Sequence, residues 1–237
     1  MKRFDPLLFL VALFLGSSCT VYPNPNIGKA LHIGDEVLKD YHPTTSLVTE
    51  KHLISKAKYP VVDVHTHFGL DQNPEAILGS MDALGVKRVV NLSGGWGEKL
   101  NKILQKFKNY APERFIIMCN IDFSRIDEAD FGKKVSAFLE EAHSKGAEGL
   151  KIFKNLGLSI KDKSGKIVPV DDPRLDAIWA KAGELGMPVL IHVADPTAFF
   201  HPIDRFNERW LQLKRHPSWS FYGNEFPSKD SILEQRN

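Results

Sequence analysis

Cysteine is nearly absent from this 237-residue chain: there are two, Cys19 and Cys119. One pair at most excludes a disulfide framework, so an apolar core must hold the fold. Charge of one sign is lacking as well. Thirty-one Lys and Arg face 29 Asp and Glu, a net of +2, and with the basic residues dispersed this excludes nucleic acid as the partner. Long apolar runs are missing beyond residues 7–15, and that run is too short to span a bilayer. What is present, 43% hydrophobic and 25% charged residues, suits a globular protein with ample material for a core.

The apolar run sits behind Met1-Lys2-Arg3 and ahead of Gly16-Ser17-Ser18-Cys19. Positive charge, apolar stretch and small residues in that order make residues 1–19 a secretory signal, so the protein is expected to be exported. Cys19 after small residues is similar to a bacterial lipoprotein processing site. That gives the expectation of a periplasmic or membrane-anchored protein held by a lipidated Cys19. Residues 20–58 read as an irregular arm with Pro-Asn and Pro-Thr turns. Cys119 lies inside an apolar run and reads as a small buried hydrophobe.

From residue 60 the chain becomes rhythmic. Pro60-Val61-Val62-Asp63-Val64-His65-Thr66-His67-Phe68-Gly69 predicts a short buried strand, and alternation along it would turn Asp63, His65 and His67 to one face. Helical spacing over 74–84 follows, with Asn73 as N-cap, Pro74 in the first turn and Gly85 as the stop. Apolar runs at 86–92, 115–121, 149–153 and 188–193 predict four more strands; helical patterns at 98–110, 130–145 and 172–185 fill the gaps. A polar insertion with its tip at 161–166 interrupts the fourth unit. Strict β-α alternation demands a parallel sheet with right-handed crossovers, either open and doubly wound or most of an eight-fold barrel.

In both architectures function gathers at the carboxyl ends of the strands, and those ends carry the chemistry. Strand one ends in His65 and His67 and strand five in His192. Three imidazoles at one rim are a common ligand set for a divalent cation. Lys151 is flanked by apolar residues in strand four, which is costly unless it pairs with a carboxylate such as Asp63 or meets substrate or metal. Asn91 and Asp195, at the ends of strands two and five, and Phe200, in an aromatic-dense segment after strand five, are candidate contacts for a small-molecule substrate. Gly94-Gly95-Trp96-Gly97 has two readings, a tight βα turn or a cradle for an anion, and the first is favoured because the dinucleotide spacing is absent.

Val62-Asp63-Val64-His65-Thr66-His67, Gly149-Leu150-Lys151-Ile152 and Pro188-Val189-Leu190-Ile191-His192 resemble strands one, four and five of the amidohydrolase superfamily. The branch is the amidohydrolase-related one, which also holds aromatic-acid decarboxylases. The resemblance covers residues 59–237 and implies a (β/α)8 TIM barrel of the metal-dependent hydrolase type. It implies a divalent metal at the C-terminal rim, zinc first and manganese second, with His65, His67 and His192 as ligands. Lys151 matches the position of a bridging lysine, which makes it the catalytic candidate. The family's strand-six histidine and strand-eight aspartate have no counterpart here. The expectation is therefore a barrel truncated after about five βα units, with two open edges and little activity alone. The implied reaction is hydrolysis of a C–N or C–O bond through a metal-activated water, with decarboxylation second. A non-catalytic binding lipoprotein on a degenerate barrel and an open α/β phosphate or sugar binder are the rivals.

Overall fold

A computed structural model describes residues 49, 50, 52, 57–193 and 195–235. The signal, Cys19 and nearly all of the arm therefore lie outside the described residues. Every element below belongs to the second of two compact units, Ile54–Asn237.

Five strands form one parallel sheet: β1 (Val61–Thr66), β2 (Val86–Asn91), β3 (Phe115–Cys119), β4 (Gly149–Ile152) and β5 (Val189–Ile191). Their order in space is their order in the chain, β1-β2-β3-β4-β5. That order decides between the two architectures. A doubly wound sheet reverses direction at a switch point, whereas right-handed crossovers that always step the same way put every helix on one side, as in a barrel wall. The sheet is thus five consecutive strands of a partial TIM-barrel wall, with β1 and β5 as edges among the described residues.

The helices form where the sequence signals them. In α1 (Pro74–Leu84) the Asn73 side chain accepts from the Glu75 N–H, Pro74 opens the first turn, and Gly85 leaves the helix at φ 73°, a conformation that suits glycine. Next, α2 (Gly97–Ile103) runs into a π-helical turn at Leu104–Lys108, where Asn109 N–H reaches Leu104 O at 2.9 Å. One uniform helix was expected there, because the apolar spacing of residues 100, 103, 104 and 107 is the same for both forms. Then come α3 (Phe131–Ser144) and, after a 3₁₀ turn capped by Asp172, α4 (Asp176–Glu184). Beyond β5 lie two short helices, α5 (Trp210–Arg215) and α6 (Lys229–Glu234).

Strand alternation splits the apolar residues into two layers. Phe115, Ile117, Cys119, Leu150 and Ile152 pack with Leu100, Ile103, Phe107, Leu139 and Ile178 on the helix side. Val90, Leu92 and Met118, with Ile116 and Leu190, form a smaller cluster on the opposite face. Cys119 is buried as expected, and burial pushes its thiol up to about 12, so it is inert at neutral pH.

One expectation fails at β1. It is not buried: Val62 is 46% and Val64 60% exposed. β-branched residues set an extended backbone, but cover comes from neighbours, and among the described residues β1 has a strand on one side only.

Candidate metal and substrate site

The β1 end is bent by an irregularity in its pairing with β2 between Asp63 and Thr66. Asp63 turns back to accept the His65 backbone N–H at 3.0 Å and lines a cavity of about 520 Å³ beside α1, with Met81 and Val89. His67 instead reaches Ser93 Oγ with Nδ1 at 2.8 Å and stacks on Phe153 of the β4 rim, ring centroids 6.1 Å apart. Asp63 and His67 therefore do not share a face: a bulge breaks the period-two alternation. His65 stays with His67, edge to face at 5.2 Å.

β4 brings Lys151 to the same rim. It is 1% exposed, its backbone carbonyl accepts from Asn120 Nδ2 at 3.2 Å, and its ammonium lies 5.7 Å from the Phe153 ring centroid. β5 delivers His192, whose backbone N–H continues the ladder to Ile152 O at 3.0 Å. These groups act on one another. His67 is held below the ordinary imidazole range, first by partial burial and then by the positive charges of His65, Lys151 and His192. An imidazole in that setting is neutral near pH 7 and keeps a lone pair.

Beside this cluster lies a cavity of about 530 Å³ whose lining includes Trp96, Asn120, Phe123, Lys151, Phe153 and Lys161. Its outer wall is the polar insertion, closed by an antiparallel bridge between Lys161 and Ile167. Arg174 pins that insertion in place. Its guanidinium grips Asp172 through Nε and Nη2, both at 2.8 Å, and reaches Asp127 and Asp162 at 3.3 and 3.5 Å.

The other candidates are placed differently. Asn91 is wholly buried; Oδ1 accepts from Phe68 and Ser93 N–H and Nδ2 donates to Phe68 O. It shapes the loop behind His67 and presents no surface to the rim. Asp195 sits against His192, Oδ2 to Nε2 at 3.1 Å, and against Lys154, Oδ1 to Nζ at 3.1 Å. Burial alone would raise its pKa, yet hydrogen bonds from His192 and Lys154 outweigh that and keep it below the usual carboxylate range. Phe200 lines a separate cavity of about 420 Å³ with Phe221, Tyr222 and Phe226.

The glycine loop is a tight turn. Gly94 N–H goes to Met118 O and Gly95 N–H to Asn120 Oδ1, so these two donors are spent inside the protein. A Cβ on Gly94 would meet Met118 O at 2.3 Å. Asn120 is the residue that sequence reasoning undervalued. It is buried, and besides Gly95 it holds the carbonyls of Leu92 and Lys151, fastening the ends of β2, β3 and β4 together. Its signal was a polar residue closing an apolar strand.

The donor chemistry fits a divalent cation of borderline softness, since two adjoining imidazoles, one held neutral, and a third from β5 share the rim. Among the described residues, no group of three His, Cys, Asp or Glu is drawn together tightly enough to hold a metal ion. His65 and His67 make a pair, and His192 is turned to Asp195.

No family model matches the chain, and no curated protein matches it. Among solved structures it is similar to 2,6-dihydroxybenzoate decarboxylase from Rhizobium, at 14% identity and TM-score 0.47, over 74% of this chain and 59% of that one. It is also similar to a probable 2-pyrone-4,6-dicarboxylic acid hydrolase from Acinetobacter baumannii, at 14% identity and TM-score 0.40, over 76% and 67%. A third is 5-carboxyvanillate decarboxylase from Novosphingobium aromaticivorans with bound manganese, at 17% identity and TM-score 0.37, over 64% and 40%. The chain thus spans 59% of the length of the Rhizobium enzyme.

Proposed function

We propose that this chain carries the strand-one to strand-five part of a metal-dependent enzyme of the amidohydrolase type that hydrolyses a C–N or C–O bond in a small molecule. The observation that carries the reading is the cluster at the β1 and β4 ends, where the His65 and His67 rings lie 5.2 Å apart and both the His67 ring and the Lys151 ammonium pack on Phe153, with His192 following β5 in the same sheet, beside a cavity large enough for a small molecule. His65, His67 and His192 would hold zinc or manganese. A bound cation supplies Lewis-acid polarisation and lowers the pKa of a water at the site.

The chain's own residues do the rest. Ser93 engages His67 Nδ1 and leaves Nε2 for a ligand. Lys151 sets a buried positive charge in the cavity wall, where it attracts a developing oxyanion or a carboxylate. Trp96, Phe123 and Phe153 give that wall flat apolar surfaces that exclude water. The same buried ammonium favours decarboxylation as the second reading, because it suits a substrate that arrives with a carboxylate.

Metal content separates these readings from a binding protein. Chelated and reloaded protein is expected to retain stoichiometric zinc or manganese by mass spectrometry, with retention lost in His65→Ala and His67→Ala. Metal-free protein indifferent to both changes would sink the enzyme reading. The signal and Cys19 extend the proposal to an exported lipoprotein; loss of labelled fatty acid in Cys19→Ser checks it, and an unlabelled wild-type chain refutes it.

A further inference from the structure

Asp195 is held at three points, two on its carboxylate and one on its backbone carbonyl. His192 Nε2 lies 3.1 Å from Oδ2 and Lys154 Nζ 3.1 Å from Oδ1. Lys229 Nζ donates to the backbone carbonyls of Asp195 and Val193 at 2.6 and 3.0 Å. Both lysines are themselves seated on aromatic rings: Lys154 is 4.8 Å from the Phe221 centroid and Lys229 5.6 Å from that of Phe200. The Asp195 side chain is only 12% exposed, so water competes little for these bonds.

We propose that Asp195 is a positioning residue that fixes the proton of His192 on Nε2, leaving Nδ1 as the nitrogen that His192 offers to the rim, and that Lys154 and Lys229 hold it to that task. An ionised carboxylate only accepts, so the imidazole nitrogen facing it must donate. A neutral imidazole carries one N–H, and the other nitrogen keeps its lone pair. Lys154 adds a direction. An ammonium only donates, so whichever atom faces Lys154 must be an acceptor.

That last point makes the relay testable by a change that keeps the shape. In Asp195→Asn the amide carbonyl must stay with Lys154, which swings the NH2 toward His192 Nε2. Nε2 then has to accept, and the proton moves to Nδ1; the same inversion of tautomer follows Asp-to-Asn exchange beside a catalytic histidine elsewhere. In Asp195→Asn/Lys154→Met the amide is free to turn over, and Nε2–H returns.

The measurement is long-range ¹H–¹⁵N correlation on histidine-labelled protein at alkaline pH, with the His192 signals assigned by their loss in His192→Gln. The expected result is Nε2–H in the wild type, Nδ1–H in Asp195→Asn, and Nε2–H again in the double variant. A wild-type His192 protonated on Nδ1 overturns the proposal without any substitution. So does an Asp195→Asn protein that keeps Nε2–H.

Zinc affinity is the second readout, and here the inference rests on the metal reading. A proton on Nδ1 blocks that nitrogen, so Asp195→Asn should bind zinc roughly 10–100-fold more weakly, with recovery in the double variant. A tautomer switch in protein that never binds zinc supports the positioning role and refutes the metal reading. Tight zinc binding with no switch does the reverse.

Discussion

Replacing Asn120 by alanine tests the claim that one buried amide ties three strand ends together. The substitution strips partners from the Gly95 N–H and from the carbonyls of Leu92 and Lys151, bonds of 2.7, 3.1 and 3.2 Å around a residue 4% exposed. A buried polar group left without a partner costs about 1–3 kcal/mol. The two carbonyls each keep a second lone pair for other contacts and belong at the low end, and the amide belongs higher. The sum is roughly 3–4 kcal/mol, a large share of the about 5–15 kcal/mol that holds a domain together. With a urea m-value of about 2–3 kcal/mol per molar, the midpoint should fall by about 1–2 M at unchanged m. Circular dichroism in urea reads this directly, and hydrogen exchange at Gly95 gives a local check, since its amide should lose protection. Asn155→Ala is the control. That side chain is exposed, bonded only to Ser159 Oγ at 3.3 Å, and should stay within about 0.5 kcal/mol of wild type. If Asn120→Ala costs less than about 1 kcal/mol, the three bonds do not hold the rim and the reasoning fails.

Two further outcomes follow from geometry. Gly94→Ala, whose Cβ would sit 2.3 Å from a backbone oxygen, should lose about 1–3 kcal/mol. Gly79→Ala, in an exposed stretch of α1 with nothing within 4 Å, should gain about 0.5–1 kcal/mol; urea midpoints moving the same way for both would contradict this. The Arg174 clamp gives a pH dependence. Hydrogen bonding from Arg174 is the main cause that holds Asp172 below its ordinary 3.8, against some burial. A depressed carboxylate stabilises the fold above its unfolded pKa and stops doing so as pH falls through the folded value. Wild type should therefore outlast Arg174→Met in urea by a constant margin from pH 7 to 5. That margin should close below about pH 4, and one that held or widened at pH 3 would refute the assignment.

Much of the fold was legible because its signals are local. Asn73, Pro74 and Gly85 bound α1 as their backbone chemistry dictates, and the arrival of His65, His67, Lys151 and His192 at one rim follows from strand ends in a parallel sheet. What escaped depends on neighbours far along the chain or on small departures from regularity. The exposure of Val62 and Val64 reflects the place of β1 at the sheet edge among the described residues, which no property of those valines reports. The bulge that parts Asp63 from His67 shifts the period by one residue, and the π turn at Leu104–Lys108 leaves the apolar spacing untouched. Asn91 and Asn120 were visible as polar residues at strand ends. Their work, saturating backbone groups from neighbouring segments, becomes visible only when those segments are in place. Asp195 was a candidate substrate contact by its place after β5, and its bond to His192 Nε2 is a contact three residues apart that strand alternation does not announce.

The strand order has a consequence for how the protein is made. Each strand pairs with the one synthesised just before it, so every βα unit leaving the ribosome finds its docking edge already in place. Contacts of short sequence separation close quickly, and the sheet can grow vectorially, one hairpin-free step at a time. At every stage a single fresh edge waits for the next segment of nascent chain.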